Sequence, residues 1–307
     1  MVEDLGALRK FYNDHLHKDL KAFESKRYRL LLVVFSFAFV LIAATVLIIT
    51  LRVLVLTIFL LIPWYAWLQY YRKRVKAFRA EFKPVIVNKL LAYIDPSFRY
   101  YPEDFIPKDS FLRAGIFPKS PDIYRGEDYI MGKIGDVNFE LCELTVLENN
   151  SVKHKLVNWF EGIFFHANFH NNFHGHLIII PRSDWQDFIP VIKGFTKYGG
   201  EEVKDLKHDA FNKNFMVIAQ RNIPYKELLQ KRLLDTINNY YQKSKKKVYV
   251  SFVDTHFYIG IAEPYELLEA HIFLSNLRFD TIAFFYQELL LFAKIVEDFD
   301  MRVAHES

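Results

Sequence analysis

The sequence has one cysteine, Cys142, which rules out an intramolecular disulfide framework and fits a reducing compartment. Flanked by Leu141 and Glu143, it reads as a strand position rather than an activated nucleophile. Familiar catalytic signatures are missing too. There is no phosphate-binding P-loop, no G-x-S-x-G, no H-E-x-x-H and no G-x-G-x-x-G, so the chemistries tied to those motifs have no local anchor. No repeat of fixed period and no low-complexity tract occurs, which excludes solenoids and compositional linkers. Glu127 and Asp128 are adjacent carboxylates, but neighbours on a regular strand alternate faces, so a charged strand start explains them better than an acid–base pair.

Between residues 30 and 71 the chain lacks charge almost entirely. Leu, Val, Ile, Phe and Ala dominate, and Arg52 is the one full charge. A bilayer core of about 30 Å takes roughly 20 helical residues, whereas this run in one helix would reach about 60 Å. The spacing therefore predicts two crossings, Leu30–Leu51 and Val53–Tyr71. Arg52 belongs at the turn, because an arginine at mid-membrane costs on the order of 3 kcal/mol and one at the interface far less. Thr50-Leu51-Arg52-Val53 contains no Gly, Pro or Asn to reverse the chain, which leaves the tip as an unusual bend. The long charged lead and the absence of a small-residue cleavage pattern argue against a signal peptide.

Lys26, Arg27 and Arg29 precede the run, and Arg72, Lys73, Arg74, Lys76 and Arg79 follow it. Positive charge on both flanks predicts two cytoplasmic termini, and Trp64, Tyr65, Trp67, Tyr70 and Tyr71 supply an aromatic belt at the second exit. Residues 72–83 carry six basic side chains against Glu81, a net of +5, while the whole chain is +4. The basicity is thus juxtamembrane. It suits a bilayer with anionic headgroups, met by Arg72, Lys73, Arg74, Lys76 and Arg79, and gives no reason to expect nucleic acid.

The expected organisation is an amphipathic cytoplasmic helix at 1–29, a transmembrane helical hairpin at 30–71, a basic helical stalk at 72–95 and a cytoplasmic α+β domain at 96–307. In the first helix Phe11, His15 or Leu16, Leu20 and Phe23 recur at helical spacing; in the stalk Val75, Phe78, Phe82, Ile86, Leu90 and Ile94 do so despite Pro84, which should bend or restart the helix. The domain reads as an antiparallel meander of strands near 128–134, 137–147, 159–169, 176–181 and 215–219, with Gly135-Asp136 as a two-residue turn. A helix follows Pro224. A second hairpin turns at Asp254-Thr255, and a last helix capped by Asp280 carries Ile282, Phe285, Leu289, Phe292, Val296 and Phe299 on one face. Helices packed on a mostly antiparallel sheet make the class α+β.

At "YRGEDYIMGKIG" (124–135), "FEGIFFHANFHNNFHG" (160–175) and "FMVIAQRNIPYKELL" (215–229) the sequence resembles a bacterial membrane family known as domain of unknown function 3137. The layout of charged start, close spans, basic strip and domain is similar over nearly the whole chain. The resemblance implies a membrane-anchored protein and supplies no activity, cofactor or catalytic residue.

The chemistry then rests on "FFHANFHNNFHGH", which gathers His166, His170, His174 and His176. On a strand His166 and His170 share a face but stand about 13 Å apart, too far for one ion. A smaller transition-metal site survives if His170 meets His176 or His174 across the Asn171–Gly175 turn of a hairpin, although acidic partners for the H-x-H are lacking nearby. The expected function is a non-enzymatic interaction or sensory module anchored at the bacterial cytoplasmic membrane, binding a protein or small ligand. The alternative is a metal-dependent membrane-bound hydrolase using the four histidines. Association into a homo-oligomer is left open.

Overall fold

Leu8, Tyr12, Leu16 and Leu20 recur every four residues and are all buried. A strict period of four drifts around a helix of 3.6 residues per turn, and a wider turn takes up the drift. In the computed structural model that turn is a π-turn, Tyr12–Leu16, set between α1 (Leu5–Phe11) and α2 (His17–Thr50). The structure describes residues 5–52, 58–117, 120–150, 155–197, 199–262 and 268–306. They divide into two compact units, Val2–Pro96 with Leu268–Glu288 and Ser97–Leu267 with Leu289–Ser307.

The first unit is built on α2 and α3 (Leu61–Ile94). Contacts climb one helix as they descend the other: Phe11 stacks on Tyr93 at 4.1 Å, Asp19 pairs with Lys89, Phe23 meets Phe82 at 5.2 Å, Lys26 pairs with Glu81, and Phe37 stacks on Trp67 at 4.7 Å. The two helices are therefore antiparallel. α3 runs through Pro84 without restarting, and the Asn88 amide donates to the Pro84 carbonyl at 2.8 Å.

Among the described residues one helix is long and apolar enough to cross a membrane, Leu5–Thr50. Two such spans are expected from the sequence; the structure gives one. The described apolar part of α3 before Arg72 is only Leu61–Tyr71, short of the roughly 20 residues a crossing takes. Residues 53–57, which the second span would also need, lie outside the described residues.

Arg27, one of the flanking cations, is 4% exposed, hydrogen-bonded to Glu24 at 2.5 Å and donating to the Ile272 carbonyl at 3.0 Å. Asn276 N–H reaches the other Glu24 oxygen at 3.2 Å, and Lys83 pairs with Glu269 at 2.8 Å. Segment 268–288 thus closes this unit over buried, paired charges. Burial works against the Glu24 carboxylate, but the Arg27 and Asn276 hydrogen bonds hold its pKa below the usual carboxylate range.

The second unit is an antiparallel sheet: β1 (Arg99–Tyr101), β2 (Ile123–Ile134), β3 (Val137–Asn150), β4 (Lys155–Asn168), β5 (His176–Pro181), β6 (Glu201–Glu202), β7 (Phe215–Ala219), β8 (Lys247–Val253) and β9 (His256–Ala262). Gly135 (φ 60°) and Asp254 (φ 54°) make the two short turns that the sequence marks. The spatial order is β1-β2-β3-β4-β9-β8-β5-β7-β6. The meander expected across 159–181 is thus overturned: the β8–β9 hairpin sits between β4 and β5. Leu177, Ile178, Ile179 and Ile180 are all fully buried, so β5 is an interior strand that needs a partner on each edge, and β8 and β7 supply them.

One face packs Cys142, Phe160, Phe164, Ile178 and Ile180 under Ile106, Phe111 and Ile116, from the segment holding α4 (Lys108–Arg113), and under Val191 and Phe195 of α5 (Ile189–Lys197). The remaining helices are α6 (Asp209–Asn214), α7 (Tyr225–Leu228), α8 (Lys231–Ser244) and α9 (Phe279–Glu306). The single helix expected after Pro224 is split, because Leu229 and Gln230 leave helical geometry between α7 and α8. On the opposite face of the sheet Phe165 stacks on Phe292 of α9 at 4.8 Å. Ile282, Phe285, Leu289, Phe292 and Val296 are buried, as their spacing predicts; the side chain of Phe299 lies outside the described residues.

Candidate functional site

Strand alternation puts Glu140 of β3 and His166 of β4 in register on the same face as Phe164, and β9 places Tyr258 beside His166. The covering α4 brings Arg113. The result is a polar row at one end of an otherwise apolar layer. His166 Nε2 and His256 Nδ1 are 2.9 Å apart, one donating to the other, and Arg113 reaches the far nitrogen of His256 at 3.3 Å. Glu140 Oε2 stands 3.6 Å from His166 Nδ1, an ion-pair distance too long for a hydrogen bond, and the His166 ring stacks on Tyr258 at 4.7 Å.

Electrostatics polarises this row. The His166 imidazole beside it holds the Glu140 carboxyl below the usual range, against burial, with help from a Tyr129 hydrogen bond. Burial, then the neighbouring His166 and Arg113, push His256 down from its ordinary value. His166 is buried, whereas Arg113 is exposed and His256 half-buried, so the row runs from core to solvent. Chemically it can relay or hold a proton and can present a guanidinium to an anion.

The four histidines singled out by sequence do not converge. His166 faces His256; His170 and His174 are exposed in the connection after β4, with His174 at φ 57°. His176 lies on β5, where its Nε2 donates to the Ala114 carbonyl at 3.2 Å beside Ser251 Oγ, itself donating to the same carbonyl at 2.5 Å. Burial lowers the His176 pKa to about 4 in spite of the Ala114 carbonyl and Asp254. The facing of His170 and His176 across a turn needs β4 and β5 to be neighbours, and two strands separate them.

Among the described residues the group of three side chains whose ligand atoms could share one ion is Glu127, Asp128 and Glu143, within 4.8 Å of one another. Alternation misleads at the first two because the β2–β3 register shifts after Glu127 and Asp128 takes φ 60°. Tyr100 OH donates to Asp128. Such carboxylates can hold a cation or share a proton.

The five basic residues expected at a membrane surface, Arg72, Lys73, Arg74, Lys76 and Arg79, are all exposed on α3, and Arg79 lies 3.6 Å from Glu269. Cys142 is buried, its pKa pushed up by that burial, and accepts the Ile106 N–H at 3.3 Å. His256, Arg113 and Glu140 were not singled out by sequence. Nothing local marks them, because Glu140 meets His166 through the β3–β4 pairing while His256 and Arg113 arrive from the distant β9 and α4.

Residues 158–301 match the model of the family described as a protein of unknown function (DUF3137). It is the family that the sequence resembles. The match starts within β4 and takes in β5 to β9 and most of α9, so it is narrower than the near-whole-chain resemblance and omits the 124–135 motif. No curated protein matches the chain. A solved structure of the mycobacterial trehalose monomycolate transport factor A is similar at a TM-score of 0.34 and 7% identity, covering 67% of this chain and 89% of that one. A likeness that slight says nothing about function.

Proposed function

We propose that the protein is a membrane-anchored interaction or sensory module, held at the cytoplasmic face of a bacterial membrane by its helical hairpin. One observation carries the reading: Leu32, Phe35, Phe39, Ile42, Val46 and Ile49, spaced three and four apart, form an outward apolar stripe along α2, each more than half exposed. Phe37 on the other side turns to Trp67 of α3, so α2 is apolar toward its helical neighbour and toward its surroundings alike, which suits lipid rather than water. The chain crosses twice in this reading. The antiparallel run of contacts supports it, as does the end of α2, where Leu51 N–H donates to Leu47 at 2.9 Å and Arg52, at φ 56°, stops the helix without glycine.

The polar row from Glu140 to Arg113 is the part of the folded domain best suited to meet a partner or ligand. Metal-dependent hydrolysis by the four histidines has no geometric support, since His166 faces His256, His170 and His174 are exposed in the connection after β4, and His176 lies on β5, two strands away from β4.

Single reporter cysteines test the topology, with the buried Cys142 giving little background. Ser25→Cys and Lys73→Cys should label with an impermeant maleimide from the cytoplasmic side and Arg52→Cys from the opposite side. Labelling of Ser25→Cys and Lys73→Cys from opposite sides would replace the double crossing with a single one.

A further inference from the structure

At the foot of the apolar stretch, α2 and α3 part to leave a cleft of about 380 Å³ lined by Lys26, Arg29, Leu30, Val33, Tyr70 and Arg74, with Glu81 at its edge. Its composition changes along the helices. Leu30 and Val33 begin the outward-facing apolar run, while Lys26, Arg29 and Arg74 stand at the end toward the basic strip. Lys26 is neutralised by its ion pair with Glu81. Two guanidiniums, one from each helix, therefore set the charge of the cleft.

Arg74 is held in place: its Nε donates to Tyr70 OH at 3.1 Å, and its guanidinium lies 5.2 Å from the centre of the Tyr70 ring. That leaves its terminal nitrogens for another acceptor. Arg29 is exposed and has no ion-pair partner among the described residues. Guanidinium forks match phosphate oxygens, their net positive charge favours a headgroup with no cation of its own, and the apolar upper wall matches the start of an acyl chain. We infer that this cleft is a binding site for one anionic phospholipid, its phosphate between Arg29 and Arg74 and its chain along Leu30 and Val33. The inference rests on the membrane reading above and adds to it a discrete site, distinct from the diffuse attraction of Arg72, Lys73 and Lys76, which do not line the cleft.

The test uses the full chain in vesicles of phosphatidylglycerol and phosphatidylcholine, extracted in mild detergent and weighed by native mass spectrometry. About one phosphatidylglycerol per chain should remain bound in preference to phosphatidylcholine. An Arg29→Gln, Arg74→Gln double variant should lose at least about tenfold of that retention, while Arg72→Gln, Lys76→Gln should keep it. Glycerol 3-phosphate in excess should not displace the lipid. Equal retention by the cleft variant, equal loss in both variants, or displacement by glycerol 3-phosphate overturns the site. Flotation of the same vesicles separates the two ideas: a chain that floats but keeps no lipid refutes the cleft alone, and one that does not float refutes the membrane reading as well.

Discussion

Phe35 and Phe39 on α2 are 64% and 73% exposed, while Phe164 and Phe165 on β4 are fully buried. The residue type is the same, and the surroundings that each segment demands are opposite. On β4 the rings meet Phe111 at 5.0 Å and Phe292 at 4.8 Å, in the close packing of a protein core. On α2 the apolar residues surround the helix and find neighbours on one side at most. The lesson is that aromatic and aliphatic content, 51% of this chain, says little until it is known which solvent each half is folded against.

One substitution made in both regions sharpens the contrast most. Phe164→Ala should cost about 3–5 kcal/mol of the folding stability of the full chain in detergent, whereas Phe39→Ala should stay within about 0.5 kcal/mol; comparable losses at the two sites would erase the distinction. Almost as large is the effect expected at the buried pair. Glu24→Ala strands Arg27 without its counter-charge and should destabilise the helical unit by about 3 kcal/mol or more, read as an earlier loss of helical signal on titration with denaturant, while Lys89→Ala at its exposed pair should cost under about 1 kcal/mol.

Acid should discriminate as well, through His176. Its folded pKa of about 4 lies below the ordinary value of 6.5, so the unfolded chain binds the proton first. Stability from this group is complete above pH 6.5 and falls as the pH drops toward 4, by up to about 3 kcal/mol. Denaturation at pH 7 and pH 5 should show a fall for the wild type that is reduced in His176→Gln; an unchanged slope would mean that the imidazole protonates freely on β5. The smallest effect concerns metal. With the four histidines dispersed, a His170→Ala, His174→Ala variant should match the wild type in bound zinc by elemental mass spectrometry, and a drop of about one ion per chain would restore the histidine site.

Local patterns in the sequence carried much of this architecture. The two-residue turns at Gly135-Asp136 and Asp254-Thr255, strands 176–181 and 215–219, and the apolar face of α9 are all set by neighbours within a few positions. What escaped depends on distance in the chain. β5 looks like the return strand of β4, yet it is an interior strand whose two edges pair with β7 and β8, and no periodicity reveals that the β8–β9 hairpin enters between β4 and β5. The polar row was lost for the same reason, since Glu140, His166, His256 and Arg113 come from four segments. The burial of Arg27 was not legible either, because it depends on Glu24, one turn earlier, and on the distant Ile272 carbonyl. The Glu127-Asp128 pair was dismissed on strand alternation, which a bulge suspends.

The central claim is that the outward apolar face of α2 is solvated by lipid. The most direct measurement is to wash membranes carrying the full chain with alkaline carbonate and follow the protein between pellet and supernatant. The account predicts that the wild type stays with the membrane pellet and that a Phe35→Lys, Phe39→Lys variant is released. Release of the wild type by the same wash would contradict it.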